Sequence, residues 1–574
     1  MIRLFIIVEP PTLMIIKKHR LSRIICSLLL LTLTGSATTT SPALLAQQPQ
    51  RERQTTSAPA TTNTAPAQTS SPPSTTQNQT TVVSAPVNAP RTVSELRARL
   101  DALTHRPELA PAQLAIKVAS LETNRVLYET NADKLMVPAS NMKMYTVAAA
   151  LDRLSPDFRF KTSVYAASRP NASGEIAGDL IIYGRGDPSF AASFNDGDYT
   201  KAIDDFAARI AAAGVRRVRG DLIGDETYFT GPPFGPGWEW DDLQWDYGAE
   251  VSALSVNDNA LDLFIKPGAR TGDPCIVTLG PATPLMQIKN GTTTSVRGAK
   301  RELSVYRRLG ENVLEVDGSL PQTDADYTGS VTISQPALLF VSMLRAALER
   351  RGVEIKGRTR VIDAPVPGAS NTRTQTAALF ELTSMQSPPL SVIAAATLKP
   401  SQNLYAELIL RALGAATVSD PKSSSTEAGI EAVKTFLRGA GIDADALALN
   451  DGSGLSRHDL VTASATLQLL TFMSRHRYSR TFYDALPVAG VGGSSRKDGT
   501  LRNRMKGTLA AGNVRAKTGT LDKVTSLSGY VTSAAGERLV FSIMLNKHTF
   551  GDATARQNYL DAIAVLLASL TGKS

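Results

Sequence analysis

The feature that most constrains this chain is a low-complexity stretch near its amino-terminal end. Residues 47–90 consist almost entirely of Gln, Thr, Ser, Pro, Ala and Asn, with scarcely any large apolar side chain. Such a composition buries too little apolar surface to form a core, so residues 47–91 are predicted to be a flexible tether. Folding is thereby confined to the chain from about Thr92 onward, where Thr92 and Glu95 have capping-box spacing ahead of a helical stripe of leucines.

The sequence before the tether has the organisation of an export signal. Basic residues between Lys17 and Arg23 precede an apolar run at 24–33, which is followed by small residues. This pattern predicts a signal peptide over residues 1–46 and a periplasmic or other extracytoplasmic location. The alternative is a permanent membrane anchor, but the apolar run is shorter than the ~20 residues that a span needs. Met14 is an alternative start of the chain.

Length and composition indicate a globular protein of two or more domains. The chain has 574 residues, of which 42% are hydrophobic and 20% charged. Of its two cysteines, Cys26 lies in the predicted signal, which leaves Cys275 without an internal disulfide partner. The five histidines show no metal-ligand spacing, and the net charge of +9, part of which lies in the signal, falls short of a nucleic-acid-binding signature. We therefore expect no metal, no cofactor, no nucleic-acid partner and no stable membrane span.

Hydrophobic periodicity divides the remaining chain into two mixed regions separated by a β-rich one. A hairpin pattern at 114–128 is followed by a helix in which Met144, Val147 and Leu151 share one face. Residues 161–365 consist of short β-type runs separated by Gly, Pro and Asp turns, which is typical of a separate insert. The pattern as a whole predicts an α+β fold. Later helices are predicted at 390–398, 404–413 and about Leu560, and later strands at 526–532 and 539–545.

The first chemical motif is Ser140 with Lys143, at the start of the first apolar helix. Three residues apart on a helix, the two side chains share one face, close enough for an amine to take the proton of a hydroxyl. The amine must be neutral to act as a base, and burial beside a second cation such as Lys517 would lower its pKa. A second Ser-x-x-Lys, at Ser494 and Lys497, lies in a Gly-rich stretch without helical periodicity and is not favoured.

The second motif is Ser401 with Asn403, directly after Pro400. The proline is expected to end the preceding helix and to present both side chains in a loop. The same Ser-x-Asn pattern also occurs at 193–195 and 255–257, so it is weak evidence alone. The order of the motifs along the chain, and a place directly after Pro400 and before a helical stripe, are what favour Ser401.

The third motif is the run Lys517, Thr518, Gly519 and Thr520, just before the two predicted strands near the carboxyl end. A lysine and a threonine hydroxyl at a strand edge can hold a carboxylate, while Gly519 would let a substrate backbone approach closely. That combination suits the free carboxyl end of a peptide.

Together the three motifs resemble those of class C low-molecular-mass penicillin-binding proteins, which are D-alanyl-D-alanine carboxypeptidases and endopeptidases. The resemblance runs from about residue 93 to the end of the chain. It implies a β-lactamase/transpeptidase-like domain, an antiparallel sheet flanked by helices, formed by residues 92–160 and 366–574. The insert at 161–365 would form two smaller domains, one nested at about 258–327. The segments that carry the resemblance include Asp-Gly-Ser-Gly-Leu-Ser-Arg at 451–457 and Arg-Ala-Lys-Thr-Gly-Thr at 515–520, with further matches at 186–188, 238–240, 252–254 and Asn257.

The resemblance also implies a role for each motif residue. Ser140 would attack the penultimate D-alanine carbonyl, and Lys143 would accept its proton. Ser401 would relay that proton to the leaving amine, and Asn403 would hold the substrate amide. The implied ligands are peptidoglycan stem peptides and β-lactam antibiotics.

Substrate binding is implied for the third motif and for one residue of the insert. Lys517 and Thr518 would bind the terminal carboxylate, and the backbone N–H groups of Ser140 and Thr520 would form an oxyanion hole. Asp187 would help to recognise the free amine of a peptide side chain.

One segment departs from the family pattern, and two other functions stay open. Residues 490–501 are longer than the short Gly-Val-Asp-Gly-Thr-Leu-like segment of the family, so no binding role is assigned to this loop. Asp451 and Ser453 could be catalytic by position, but a turn beneath the site is the favoured interpretation. The alternatives are a β-lactamase, for which no dedicated deacylating base is evident, and a non-catalytic wall-binding protein, which the intact motifs disfavour.

Overall fold

The computed structural model describes residues 88–365, 378–417, 422–493 and 498–574, all within the compact unit Glu52–Ser574. The predicted signal peptide lies outside these residues, as do the tether up to residue 87 and the pair Ser494 and Lys497. Within the described ranges, no helix is both long enough and apolar enough to cross a membrane.

The helices and strands follow one another in three groups. The first group comprises α1 (Val93–Thr104), β1 (Gln113–Ser120), β2 (Val126–Thr130) and α2 (Met142–Leu154). The second comprises β3 (Lys161–Ala166), β4 (Glu175–Ile176), β5 (Leu180–Tyr183), α3 (Lys201–Ala212), β6 (Arg217–Val218), β7 (Leu222–Asp225), β8 (Ala260–Lys266), β9 (Ile276–Gly280), β10 (Gln287–Ser295), β11 (Glu302–Arg307), β12 (Val313–Pro321), β13 (Tyr327–Thr332), α4 (Pro336–Arg350), β14 (Glu354–Ile355), β15 (Thr359–Ile362) and β16 (Phe380–Gln386). The third comprises α5 (Leu390–Leu398), α6 (Asn403–Thr417), α7 (Ser425–Gly439), α8 (Ala463–Arg475), α9 (Ser479–Ala485), β17 (Arg515–Leu521), β18 (Val524–Thr532), β19 (Arg538–Asn546), α10 (Asp552–Ala555) and α11 (Ala562–Ala568).

The first and third groups build one five-stranded sheet of order β17-β18-β19-β1-β2, in which every neighbouring pair is antiparallel. Because β1 pairs with β19, the sheet joins chain segments from both ends of the described residues. The helix α2 is buried from Met142 to Leu151, as expected of a helix that is apolar on most of its circumference. The other face of the sheet packs on the last helix through residues such as Phe541 and Leu567. The predicted α+β class is confirmed.

The second group builds a mixed sheet of order β15-β7-β5-β3-β16. Strands β5, β7 and β15 run parallel to one another, whereas β3 is antiparallel to both of its neighbours. Two three-stranded sheets, β13-β8-β9 and β10-β12-β11, are formed between residues 260 and 332. Strand β16 lies beyond residue 365 yet pairs with β3, so this sheet includes residues from the carboxyl side of the expected insert. The domain boundaries themselves remain predictions.

The insert contacts the helix that carries the second motif. Phe229 and Val251 of the insert pack with Leu404 and Leu408 of α6 in a small apolar cluster. Helix α6 begins at Asn403. The position of the second motif therefore depends on the insert as well as on the sheet.

Candidate active site

Ser140 lies in a single 3₁₀ turn, Ala139–Asn141, directly before α2. The preceding Ala139 has φ +46°, a left-handed conformation that costs a residue with a Cβ about 1 kcal/mol or more. Two glycines from other segments make room for this turn. A Cβ at Gly454 would overlap the carbonyl oxygen of Ala139, and a Cβ at Gly519 would lie 2.6 Å from that of Pro138. The strained turn is thus held from two sides by backbone that no larger residue could supply.

These contacts give a structural reason for a glycine at position 519, which differs from the reason expected from the sequence. From the sequence, a glycine at this position was expected to admit the backbone of a substrate. The structure shows that the close approach is already taken up inside the protein, by Pro138 and by the hydroxyl of Ser526. Substrate binding at Gly519 stays a prediction.

Lys143 is fully buried and contacts three oxygen atoms from three parts of the chain. Its Nζ lies 2.8 Å from Ser140 Oγ, 2.6 Å from Asn403 Oδ1 and 2.6 Å from the carbonyl oxygen of Ser453. A neutral amine has two N–H donors and one lone pair. If Asn403 and Ser453 accept the two N–H bonds, the lone pair points at the hydroxyl of Ser140. The arrangement suits proton transfer from that hydroxyl.

Lys517 is the second buried amine, and it is paired with the second motif. Its Nζ lies 2.8 Å from Ser401 Oγ and 2.8 Å from the carbonyl oxygen of Thr518. Burial and the positive charge of Lys143 hold the pKa of Lys517 well below its usual value. Ser401 itself has φ +65° in the turn between α5 and α6, so the loop expected after Pro400 is present and strained.

Strand β17, at the end of the sheet, carries the third motif. Thr518 is 7% exposed, and its hydroxyl lies 2.8 Å from the hydroxyl of Thr500. Thr500 belongs to the segment 490–501, to which no binding role was assigned. The sequence contained one signal for it, the Gly-Thr-Leu at 499–501 that matches the end of the family's shorter segment.

Asp451 and Ser453 form a buried turn beneath the two amines. The Asp451 carboxylate accepts hydrogen bonds from the backbone N–H groups of Ser453, Gly454 and Ser456. Its Oδ2 also accepts one from the indole N–H of Trp238 in the insert, at 2.9 Å. These contacts are those of a turn beneath the site, the interpretation favoured from the sequence, and the structure adds that the turn places the Ser453 carbonyl oxygen 2.6 Å from Lys143 Nζ.

Glu407 is a buried residue that sequence reasoning missed. Its Oε1 accepts hydrogen bonds from the N–H groups of Gly452 and Ser453, at 2.9 and 2.8 Å, while its Oε2 has no hydrogen-bond partner. Burial and the nearby charge of Asp451 raise the pKa of Glu407 to about 8. The available signal was its spacing, because Glu407 follows Asn403 by four residues on one helix and so shares its face.

The insert contributes directly to the second motif. The side-chain amide of Asn403 donates to the carbonyl oxygen of Tyr247 at 2.8 Å, which leaves Oδ1 facing Lys143. Two residues later, the hydroxyl of Tyr405 donates to Asp258 at 2.5 Å. Asp258 lies in a run of three residues with positive φ, 257–259. The orientation of Asn403 is therefore set from outside its own helix.

Asp187 is placed differently from the other predicted site residues. It is 2% exposed, and its hydrogen bonds are local, from the N–H and hydroxyl groups of Ser189. Burial raises the pKa of Asp187 to about 6, and its Oδ2 has no hydrogen-bond partner. No hydrogen bond joins Asp187 to the three motifs among the described residues, so its role in amine recognition stays a prediction.

Comparison with known proteins identifies the family. Residues 96–570 match the model of the D-Ala-D-Ala carboxypeptidase 3 (S13) family. The chain is 37% identical over 486 residues to a D-alanyl-D-alanine carboxypeptidase of Actinomadura sp. (strain R39), an alignment that covers 84% of this chain and 86% of that protein. It is 25% identical over 443 residues to a D-alanyl-D-alanine carboxypeptidase of Haemophilus influenzae, covering 76% and 86% of the two chains.

A solved structure confirms the predicted fold. The crystal structure of penicillin binding protein 4 from Haemophilus influenzae superposes with a TM-score of 0.68 at 24% identity, covering 81% of this chain and 97% of that chain. A second structure of the same protein, complexed with a β-lactam, has a TM-score of 0.63, 24% identity and the same coverage. On the family match over most of its length, the chain belongs to the D-Ala-D-Ala carboxypeptidase 3 (S13) family and is a serine peptidase of the penicillin-binding type.

Proposed function

We propose that Ser140 is the nucleophile of this peptidase and that Lys143 is the base that activates it. The observation that carries the proposal is the geometry of Lys143, whose Nζ lies 2.8 Å from Ser140 Oγ and is held by acceptors 2.6 Å away on two other segments. Its substrates are peptidoglycan stem peptides that end in D-alanyl-D-alanine, and β-lactams react with the same serine. Both carboxypeptidase and endopeptidase action fall within this chemistry.

The first half of the reaction forms a tetrahedral intermediate, which becomes the acyl-enzyme when the amine leaves. Ser140 Oγ attacks the carbonyl carbon of the penultimate D-alanine while Lys143 Nζ takes the hydroxyl proton. The negative charge that develops on the carbonyl oxygen is stabilised by the backbone N–H groups of Ser140 and Thr520. Because Ser140 precedes the amino terminus of α2, the helix dipole favours the same charge.

The second half releases both products. The bond to the terminal D-alanine breaks, and Ser401 donates its proton to the leaving amine and recovers one from its contact Lys517, which is reprotonated at the expense of Lys143, so that the proton taken from Ser140 is the one passed on to the amine. Thr518 and Lys517 bind the adjacent carboxylate, whose negative charge favours the ammonium form of Lys517. Asn403 holds the substrate amide. Water then hydrolyses the ester and restores the hydroxyl of Ser140.

The remaining expectations belong to the same proposal. A signal peptide over residues 1–46 would deliver the enzyme to an extracytoplasmic compartment, where its substrate is assembled. The free amine of the stem peptide would be recognised by Asp187, whose buried carboxylate oxygen without a partner is compatible with that role only if the loop around Ser189 moves.

The intact mass of the mature protein after incubation with benzylpenicillin tests the proposal. The wild type and a Ser474→Ala control on α8 are expected to gain the mass of one benzylpenicillin, and Ser140→Ala to gain none. An adduct that persists in Ser140→Ala would overturn the assignment of the nucleophile. A wild-type adduct lost within seconds would favour the β-lactamase alternative, and no adduct on any variant would favour the non-catalytic one.

A further inference from the structure

The segment that departs from the family pattern meets two motifs at once. The backbone N–H of Thr500 donates to the carbonyl oxygen of Lys399, two residues before Ser401, at 3.0 Å. The hydroxyl of Thr500 lies 2.8 Å from that of Thr518. Thr500 thus connects the segment just before the second motif with the third motif. Its backbone is hydrogen-bonded to Lys399, and its side chain is hydrogen-bonded to Thr518.

The backbone around Thr500 is anchored on both sides. Leu501 is fully buried, and Gly499 has φ +99°, a conformation that favours glycine. Leu501 also accepts a hydrogen bond from the N–H of Gly490, at 3.0 Å. Thr500 itself is only partly buried. The backbone that carries its hydroxyl is therefore held in place.

The pairing of two hydroxyls has a consequence for anion binding. Each hydroxyl carries one proton, and the pair shares one hydrogen bond. If Thr500 donates to Thr518, the proton of Thr518 is directed away from Thr500 and is available to an anion in the site. If Thr500 lacked the hydroxyl, the proton of Thr518 could rotate toward other acceptors.

We propose that Thr500 is a specificity-determining positioning residue that orients the Thr518 hydroxyl toward the carboxylate next to the scissile bond. The inference rests on the proposed function, in which Thr518 binds that carboxylate. It assigns Thr500 a part in selecting substrates with a free carboxylate over substrates in which that group is neutral.

The test compares two substrates that differ only in charge. One is a peptide ending in D-alanyl-D-alanine with its free carboxylate, and the other is the same peptide with a terminal amide. For Thr500→Val, which keeps the shape and removes the hydroxyl, we expect kcat/KM on the acid to fall about tenfold, mainly through KM, because one hydrogen bond to a charged group is weakened. On the amide we expect no change. Thr500→Ser should restore the wild-type preference.

Two further variants separate this effect from a loss of structure. Thr508→Val removes a hydroxyl that bonds to the carbonyl oxygen of Met505 nearby, and it should leave the preference for the acid unchanged. The double variant Thr500→Val with Thr518→Val should be no worse on the acid than Thr518→Val alone, since one residue acts through the other. The denaturation midpoint of each variant shows whether it folds.

The outcomes distinguish the inference from the function on which it rests. Equal losses on acid and amide, no loss on the acid, or failure of Thr500→Ser to restore the preference would overturn the role of Thr500. If Thr518→Val discriminates between the substrates and Thr500→Val does not, only the inference fails. If Thr518→Val does not discriminate either, the proposed carboxylate site fails with it.

Discussion

Two buried ionisable regions meet beneath the candidate active site, and they differ in charge and in the groups they contact. The amines of Lys143 and Lys517 contact side-chain oxygens of the motif residues Ser140, Asn403 and Ser401. The carboxyl groups of Glu407 and Asp459, in contrast, accept hydrogen bonds from backbone N–H groups of the 450–453 turn. The amine region contacts the proposed catalytic side chains, and the carboxyl region stabilises the 450–453 turn, which itself contacts Lys143.

The comparison shows that a shifted pKa does not by itself identify a catalytic group. Burial lowers the pKa of Lys517 and raises that of Asp459, in both cases toward the neutral form. What separates the two regions is the partner. The amine of Lys143 contacts the hydroxyl of Ser140, which loses a proton in the proposed mechanism. The carboxyl groups contact backbone N–H groups, which take no part in proton transfer.

The largest effect is expected when the amine that contacts Ser140, the proposed nucleophile, is removed. In Lys143→Met, a side chain of similar length fills the buried position but offers no base. We expect the rate of acylation by benzylpenicillin to fall about 10²–10⁴-fold, the usual contribution of general base catalysis. Time-resolved intact-mass measurements report this rate. Lys506→Met, at an exposed lysine, is the matched control, and an equal loss there would break the comparison.

A smaller effect on acylation is expected in the carboxyl region. Glu407→Ala leaves the N–H group of Gly452 without its acceptor and removes one of the two acceptors of the Ser453 N–H group, so the free energy of unfolding should fall by about 1–3 kcal/mol. The acylation rate should fall less than in Lys143→Met, because the turn still presents the Ser453 carbonyl to Lys143. Urea denaturation and the acylation assay measure the two effects. A loss of acylation as large as that of Lys143→Met would show that the two regions act as one.

The pH dependence of stability should have opposite signs in the two regions. Burial raises the pKa of Glu407 to about 8, and it raises that of Glu226, a carboxyl group of the insert whose charge also acts on Arg411, to about 7, from 4.5. The folded state therefore binds more protons than the unfolded state across this range. Their contribution is fully present below pH 4.5 and is lost as the pH rises toward 8, with a slope on the order of 1 kcal/mol per pH unit for each proton. The charge of Asp451 adds to the rise in the pKa of Glu407, whereas the charge of Arg411 opposes it, and the charge of Glu407 in turn raises the pKa of Asp459.

Lys517 changes the pH dependence of stability in the opposite direction. Its folded-state pKa lies well below 10.5, so the unfolded state binds the extra proton and stability rises with pH up to about 10.5. Denaturation midpoints measured across both pH ranges report the fall in stability due to the carboxyl groups and the rise due to Lys517. Glu407→Gln should flatten the fall, and Lys517→Met should remove the rise at alkaline pH. A rise that persists in Lys517→Met would have another source.

The smallest effect is expected for an exposed carboxylate whose pKa is shifted. Asp445 forms an exposed ion pair with Arg438 at 2.7 Å, and its pKa is lowered by that contact. Water screens such a pair, so Asp445→Asn should leave the denaturation midpoint unchanged. A clear decrease would mean that exposure is a poor guide to which charges matter in this protein.

Much of the site could be predicted from the sequence because its motifs are local. Ser140 and Lys143 share a helical turn, and Pro400 and Ser401 share a loop, so their spacing carries their geometry. Glu407 and Thr500 left weak signals in the sequence, but they were missed because the groups that they contact, the N–H groups of 452–453 and the hydroxyl of Thr518, lie elsewhere in the chain. Asp187 was found by resemblance. Its hydrogen bonds come from Ser189, two residues away, but its burial depends on distant segments and leaves no local pattern in the sequence.

The sequence by itself determined the α+β class, the order of the three motifs and the hydroxyl and amine groups that they contribute, since periodicity and residue type are local properties. Only the tertiary structure decided which of those groups meet. Lys143 reaches Asn403 across 260 residues of sequence, and the orientation of Asn403 is set by a carbonyl oxygen of the insert. These contacts arise when β1 pairs with β19 in the sheet and the insert packs on α6, because burial of apolar surface brings distant segments together without leaving a local pattern in the chain.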